Sequence, residues 1–143
     1  MRRTMCISVA LGVLIGVLAL RGAPASSADN PPAGKVYDMR TYKVNPGKME
    51  ALHARFRDHA CKLFQKHGME LIGFWTPTEG EEAKDTLIYI VAFPSVEAQK
   101  KAWDAFWADP EWKKVKADSE RDGVLVKEIK GKNLKATDYS PLR

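Results

Sequence analysis

The chain has 143 residues, of which 23 are Lys or Arg and 18 are Asp or Glu, so its formal net charge is +5. This length accommodates one domain of ordinary size and excludes a two-domain enzyme with separate cofactor and substrate halves. Hydrophobic residues make up 45% of the chain and charged residues 29%, which is typical of a globular protein. Two cysteines are too few for a zinc cluster or a disulfide-rich miniprotein.

Residues 1–28 have the pattern of a secretory signal peptide. Two arginines precede an uncharged apolar run over residues 5–20, and small residues follow it. This run is shorter than the roughly 20 residues that a membrane-spanning helix needs, so we expect no stable membrane anchor after cleavage. We predict cleavage after Ala28, with cleavage after Ala25 as the alternative. A spacer over residues 29–34 then precedes the fold of a periplasmic or extracellular protein.

Cleavage changes the charge and the cysteine content of the chain. It removes three arginines and no acidic residue, which leaves a net charge of +2. So small an excess of positive charge does not indicate a basic surface patch of the kind that binds nucleic acids, and we expect no nucleic-acid partner. Cys6 is removed as well, so Cys61 is the only cysteine of the mature chain and an intramolecular disulfide is excluded. The helical phase predicts that Cys61 lies on the solvent side of the first helix.

The first half of the mature chain predicts a strand, a helix and a second strand. Residues 35–44 alternate between the two faces of a strand. Asn45 is positioned to cap a helix whose first residue is Pro46 and which ends near His67. Residues 69–76 are apolar and predict the second strand.

The second half predicts a strand, two helices and a last strand. Residues 85–93 form the most strand-like segment of the chain. Ser95 is positioned to cap the second helix, and Asp109 to cap a third, shorter one. Residues 124–129 predict the last strand, and residues 131–143 a polar C-terminal tail. The side chains expected on the inner face of the second helix are Val96, Gln99, Ala102, Trp103 and Phe106.

The order β-α-β-β-α-(α)-β predicts an α+β fold, namely a ferredoxin-like βαββαβ domain with an antiparallel four-stranded sheet over residues 35–130. This fold places the helices on one face of the sheet. The central segments over residues 71–75 and 87–93 are nevertheless apolar on both faces. The chain has no further residues to cover the second face. We therefore expect a homodimer in which two sheets pack together as a dimeric α/β barrel.

Three groups of residues, spanning roughly residues 36–116, form a specific combination. The first group is residues 37–42 with Val44 and residues 46–48, the second is His67 and Gly68 with residues 72–75, and the third is Trp103 and Phe106 with residues 109–112. In this combination the chain resembles the NIPSNAP family of dimeric α/β-barrel proteins. The resemblance implies the ferredoxin-like fold and a back-to-back dimer, and it implies little about activity.

Candidate catalytic residues lie on the first predicted helix and strand. His53, His59 and His67 are six and eight residues apart, whereas two metal ligands on one helix need a spacing of four. We therefore predict no metal site and, without a glycine-rich phosphate loop, no cofactor.

His59 could act as a general base, or it could be a boundary histidine without a catalytic role. Arg40 could hold an anionic group and Tyr42 could donate a proton, or Arg40 could belong to a charge pair at the dimer interface.

Aromatic side chains are concentrated in this short domain. They could line a pocket for a small hydrophobic or aromatic ligand, or they could simply fill the core. The candidates for ligand binding are Trp75, Tyr89, Trp103 and Phe106.

The sequence leaves two classes of function open. One is an exported homodimeric protein that binds a small ligand or another protein. The alternative is a cofactor-free enzyme of the monooxygenase or isomerase type, a chemistry that the wider barrel superfamily includes along with haem-degrading enzymes. A haem-handling protein is a third possibility. Convergence of Arg40, Tyr42 and His59 on one cavity would favour the enzyme, and scattered positions would favour the binding protein.

Overall fold

A computed structural model describes residues 34–142 of the chain. The predicted signal peptide and residues 29–33 of the spacer lie outside the described residues. Within residues 34–142, none of the helices has the length and apolar character needed to span a membrane.

Within the described residues, four strands and three helices follow one another in the order that the sequence predicts, and one short additional helix precedes the third strand. The elements are β1 (Val36–Val44), α1 (Met49–Arg55, continued by Phe56–Ala60 and Cys61–Lys66), β2 (Glu70–Trp75), α2 (Glu82–Asp85), β3 (Thr86–Phe93), α3 (Val96–Ala108), α4 (Pro110–Ser119) and β4 (Val126–Lys135).

The strands form one antiparallel sheet in the order β2-β3-β1-β4. Helices α1 and α3 pack on the same face of this sheet. On that face, the ring of Phe56 in α1 lies 6.0 Å from the ring of Tyr42 in β1. Trp103 of α3 donates its indole N–H to Asp38 of β1. The ferredoxin-like α+β fold predicted from the sequence is confirmed.

The hydrophobic core fills the space between the sheet and the helices. Apolar side chains removed from water supply most of the stabilisation of such a layer, at roughly 25 cal/mol for each Å² buried. Its largest fully buried side chains are Tyr89, Phe64, Phe93, Phe106 and Leu52.

Two of the three predicted helix caps are confirmed. The Ser95 hydroxyl accepts from the backbone N–H of Ala98 at 3.1 Å, and Asp109 accepts from the N–H of Glu111 at 2.8 Å. Such a cap satisfies a helical N–H that has no partner within the helix. Val96, expected on the inner face of α3, is instead exposed, because it is the first residue of the helix and lies beyond the sheet-facing part.

Asn45 does not cap the first helix. Its side-chain amide donates to the carbonyl of Val124 at 2.8 Å, and its backbone N–H donates to the carbonyl of Leu125. The turn continues through Gly47, whose φ of 72° suits a residue without Cβ. Helix α1 therefore begins at Met49, and Asn45 joins the end of β1 to the segment that leads into β4.

One turn of α1, Phe56–Ala60, is π-helical. A π turn accommodates one extra residue, so the side chains that follow are rotated relative to those of an uninterrupted α-helix. In the α-helical part that follows, Leu63 and Phe64 both lie in the core. Cys61, predicted on the solvent side, is half-buried against the core, and this burial raises the pKa of its thiol.

The last strand is longer than the sequence predicts. It was expected over residues 124–129, but β4 runs over Val126–Lys135 and pairs with β1 as far as the pair of Val36 and Lys135. The boundary predicted at residue 130 falls inside this strand, so residues 131–135 belong to the domain and not to a tail. The side chains of β4 after Val126 are exposed. Backbone pairing with β1 holds this edge strand without an apolar pattern.

The face of the sheet opposite the helices, which we call the outer face, is apolar at its centre, as the sequence predicts. Met39, Ile72, Ile88 and Ile90 are half-buried there, and Trp75 is exposed.

The chain covers one end of the outer face itself, which corrects the expectation that no residues remain for this purpose. Four residues of the segment after β4 line a cleft of about 280 Å³ together with Tyr37, Ile72 and Ile90, namely Ala136, Thr137, Ser140 and Leu142. Tyr37 and the neighbouring Ala92 are buried. The centre of the face, around Ile88, stays without such a cover within the described residues.

Asp109 connects the end of α1 to the start of α4. Its Oδ2 atom lies 2.8 Å from Nζ of Lys66 and 2.7 Å from Nε2 of His67, in addition to its capping bond. The hydrogen bonds from Lys66 and His67 hold the pKa of Asp109 well below its usual range.

Because the pKa of Asp109 is lower in the folded state, ionised Asp109 stabilises the fold above the unfolded-state pKa of about 3.9, and this contribution is lost as the pH falls. The variant Asp109→Asn keeps a capping side chain and lacks the charge. In urea unfolding, we expect the wild-type protein to exceed D109N in stability at about pH 5 and the difference to shrink towards about pH 3. The control Asp104→Asn, on the exposed side of α3, should differ little from wild type throughout. A D109N difference that is constant over this range would contradict the prediction.

Candidate functional site

A cleft of about 110 Å³ lies between the sheet and helices α1, α3 and α4. Its walls combine six aromatic side chains with a few charged groups and with apolar residues near β4. The lining residues are Tyr42, Arg55, Phe56, Phe64, Phe106, Trp107, Trp112, Lys116, Glu120, Val124, Val126 and Ile129.

The aromatic walls pack around Phe106, with Trp107 edge to face and the other two rings tilted. Its ring centroid lies 4.5 Å from that of Trp112, 4.9 Å from Phe64 and 5.0 Å from Trp107. Such pairs add about 0.5–1.5 kcal/mol each beyond the area they bury. These contacts fix the rings in place, so the cleft is preformed.

The cleft opens beside the edge strand β4. Trp107 is 41% exposed there, Val124 57% and Ile129 47%. Single exposed apolar side chains are ordinary on a protein surface. A group of them at the entrance of a cleft is typical of a ligand site.

Arg55 is the buried cation of the cleft, with a relative exposure of only 5%. Its Nη1 donates to Glu120 at 2.9 Å, and its guanidinium carbon lies 5.4 Å from the ring centroid of Trp112. Among the residues that the structure describes, its Nε–H has no hydrogen-bond partner. A buried donor left without an acceptor costs roughly 1–3 kcal/mol. Arg55 therefore holds an unused hydrogen bond.

The charges that line the cleft are two cations and one anion. Burial raises the pKa of Glu120, but hydrogen bonds from Lys116 and Arg55 outweigh this effect and lower it. Glu120 is thus a carboxylate at neutral pH and balances only one of its two cationic neighbours. The cleft carries an excess of one positive charge.

Tyr42 presents its ring to the cleft and shares a hydrogen bond with Tyr89. The two hydroxyl oxygens are 3.0 Å apart and buried, and either atom could be the donor. Burial raises the pKa of Tyr42, and it raises that of Tyr89 well above its ordinary value. Both phenols are therefore protonated at neutral pH and cannot act as bases.

Asp38 is the centre of a second polar cluster under helix α3. This carboxylate is 1% exposed, and it accepts two bonds of 2.9 Å from Arg40, one of 2.9 Å from Gln99 and one of 2.8 Å from Trp103. The guanidinium of Arg40 also lies 4.3 Å from the ring centroid of Trp103. Gln99 in turn exchanges hydrogen bonds with Asn133 of β4. Arg40 is therefore committed to a structural network.

The three predicted catalytic residues do not line a common cavity. Tyr42 lines the cleft, whereas Arg40 pairs with Asp38 and is absent from the lining of the cleft. His59 is exposed in a separate groove between α1 and α4. Scattered positions of this kind favour a binding protein over an enzyme that uses these three groups.

The four predicted ligand-binding residues are also divided. Phe106 lines the cleft. Tyr89 and Trp103 are buried behind its walls, where their rings pack against Phe64.

Trp75, the fourth candidate, lies on the opposite face of the sheet. A Cβ atom built on Gly73 would come within 2.5 Å of the Trp75 indole, so the missing side chain at Gly73 lets the ring lie over the outer face. Strand alternation gives the reason: Phe74 faces the helices and stacks on Tyr89, and its neighbour must point the other way.

Arg55, Glu120 and Lys116 were not among the residues predicted from the sequence. A signal for Arg55 exists, since it follows Leu52 by three residues and precedes Phe56, both in the apolar stripe of α1. No comparable signal exists for Glu120, which reaches the cleft only because helix α4 packs beside α1. Within residues 34–142, no group of three His, Cys, Asp or Glu side chains could hold a metal ion.

The fold is that of a ferredoxin-like α+β domain, with a cleft between the sheet and the helices. The NIPSNAP family model matches residues 37–141, and the chain belongs to the NIPSNAP family. The match includes β4 to its end at Lys135, in agreement with the longer strand.

Solved structures of the family have the same fold. The NIPSNAP family protein Atu4242 from Agrobacterium tumefaciens, described as of unknown function, has a TM-score of 0.67 and 25% identity, over 77% of this chain and 95% of that chain. Atu5224 from the same organism has a TM-score of 0.67 and 21% identity, over 76% and 99%. An uncharacterized NIPSNAP-like domain protein from Burkholderia xenovorans has a TM-score of 0.65 and 17% identity, over 77% and 92%. A search of the curated proteins found no match.

Proposed function

We propose that this NIPSNAP protein binds a small aromatic or hydrophobic ligand in the cleft between its sheet and its helices. The observation that carries the proposal is the preformed aromatic cleft with its apolar entrance at Trp107. Its volume of about 110 Å³ is below the roughly 150 Å³ of a dry cavity that binds benzene, so a ligand of one ring would fill the cleft and extend into its open entrance. The scattered positions of Arg40, Tyr42 and His59 favour binding over the monooxygenase or isomerase alternative.

We also propose that the protein acts as a homodimer and outside the cytoplasm. The apolar centre of the outer face supports the dimer, because a second copy of the same sheet would remove this surface from water. The basic and apolar pattern of residues 1–28 supports export.

Single-ring probes test the ligand proposal. We expect benzamide or benzoate at millimolar concentration to raise the melting temperature of the protein, because a ligand that binds only the folded state stabilises it. In isothermal titration calorimetry, Trp107→Ala should weaken binding of the probe about tenfold through lost ring contacts.

Trp75→Ala is the matched control, since it removes an exposed indole on the opposite face and should leave the affinity unchanged. The proposal is wrong if neither probe binds, or if W107A and W75A bind the probe as wild type does.

Analytical ultracentrifugation tests the dimer. We expect the processed chain to sediment as a dimer at micromolar concentration and Ile88→Lys to sediment as a monomer, because the substitution puts a charge at the centre of the outer face. Val96→Lys, which places the same charge at an exposed apolar position of α3, should remain dimeric. A wild-type chain that sediments as a monomer would refute the dimer.

N-terminal sequencing tests the export proposal. We expect N-terminal sequencing of the protein recovered outside the cytoplasm to begin at Asp29, because cleavage after Ala28 satisfies the preference for small residues at the signal peptidase site. A start at Met1 in protein that stays in the cytoplasm would contradict the export proposal.

A further inference from the structure

We infer that the ligand of the cleft is a monoanion, namely a small aromatic carboxylate whose carboxyl group is held by Arg55. The inference rests on the proposed function and specifies the chemical class of the ligand. It is carried by the buried guanidinium of Arg55 and by the charges around it.

The first step is the unused donor. Arg55 presents five N–H groups in a planar fork, and its Nη1 is already bonded to Glu120 at 2.9 Å. Its Nε–H is buried and has no partner within the described part of the chain, and the side chain lies between the cleft and the groove that contains His59. A carboxylate oxygen is the acceptor that bonds most strongly to a guanidinium N–H.

The second step is the charge balance. Arg55 and Lys116 supply two positive charges to the cleft lining, and Glu120 supplies one negative charge. One further negative charge makes the set neutral. Lys116 is half exposed and is screened by water, so the buried Arg55 dominates the balance: a cation would add to the positive excess, and a dianion would reverse it. The balance therefore selects a singly charged anion.

The third step is the position of the aromatic walls. The guanidinium carbon of Arg55 lies 5.4 Å from the ring centroid of Trp112. That ring packs 4.5 Å from Phe106 and 5.8 Å from Trp107 at the entrance, and all three rings line the cleft of about 110 Å³. A carboxylate bonded to Arg55 thus has apolar walls next to it, which favours an aromatic acid over an inorganic anion.

The test compares benzoate with benzamide, which has nearly the same shape and no charge, on the full processed chain by isothermal titration calorimetry. We expect wild type to bind benzoate at least tenfold more tightly than benzamide. Arg55→Met should reduce this preference to less than threefold while benzamide still binds. Arg57→Met is the matched control, because it removes an exposed arginine of the same helix and should keep the full preference.

The outcomes separate this inference from the proposed function. Equal binding of benzoate and benzamide by wild type overturns the inference and leaves the proposed function standing. A water molecule that satisfies the Nε–H would produce this result. An undiminished preference in R55M overturns the role of Arg55. Failure of both probes to bind overturns the inference together with the proposed function. The wild-type comparison needs no variant. If R55M does not fold, Arg55→Lys replaces it in the test. This variant keeps the charge but lacks the Nε–H, so it should show an intermediate preference.

Discussion

The buried carboxylate of Asp38 is the interaction on which the arrangement of the helices over the sheet depends. It lies on the central strand β1 and accepts hydrogen bonds from Arg40, Gln99 and Trp103. A charge that is 1% exposed is tolerated only when it is paired and its remaining acceptor positions are used. Here both conditions hold. Loss of any one donor would leave a buried charge partly unsatisfied, so the geometry of this cluster is tightly specified.

This cluster also positions one wall of the cleft. The indole N–H of Trp103 is fixed by Asp38, and the Trp103 ring packs on Phe106 and stacks on Trp107 at 5.7 Å. These two residues in turn form the wall and the entrance of the cleft. On the other side, Gln99 reaches Asn133 and ties α3 to the edge strand β4. The residues that hold the fold and those that line the cleft are therefore connected by direct contacts, while their roles remain distinct.

The sequence predicts most of the fold because the signals for it are local. Alternation in β1, the apolar stripe of α1 and the caps Ser95 and Asp109 each depend on residues within a few positions of one another. Prediction fails where the deciding contact is distant. Asn45 bonds to Val124, which is far along the chain, and β4 extends to Lys135 through backbone pairing that leaves no apolar pattern.

The site is predicted less well than the fold for the same reason. Of the seven candidate residues, Tyr42 and Phe106 line the cleft, whereas Trp75 lies on the other face of the sheet. Strand alternation alone could have separated Trp75 from Phe74, since neighbouring residues of a strand point to opposite faces.

By itself, the sequence determined the order of the elements, the ferredoxin-like fold and the apolar character of both sheet faces, because these follow from periodicity and turn residues. Only the tertiary structure decided which side chains share a cleft. Arg55 and Glu120 are 65 positions apart in the chain. Such a meeting depends on how two helices pack, and no local pattern of residues encodes that packing.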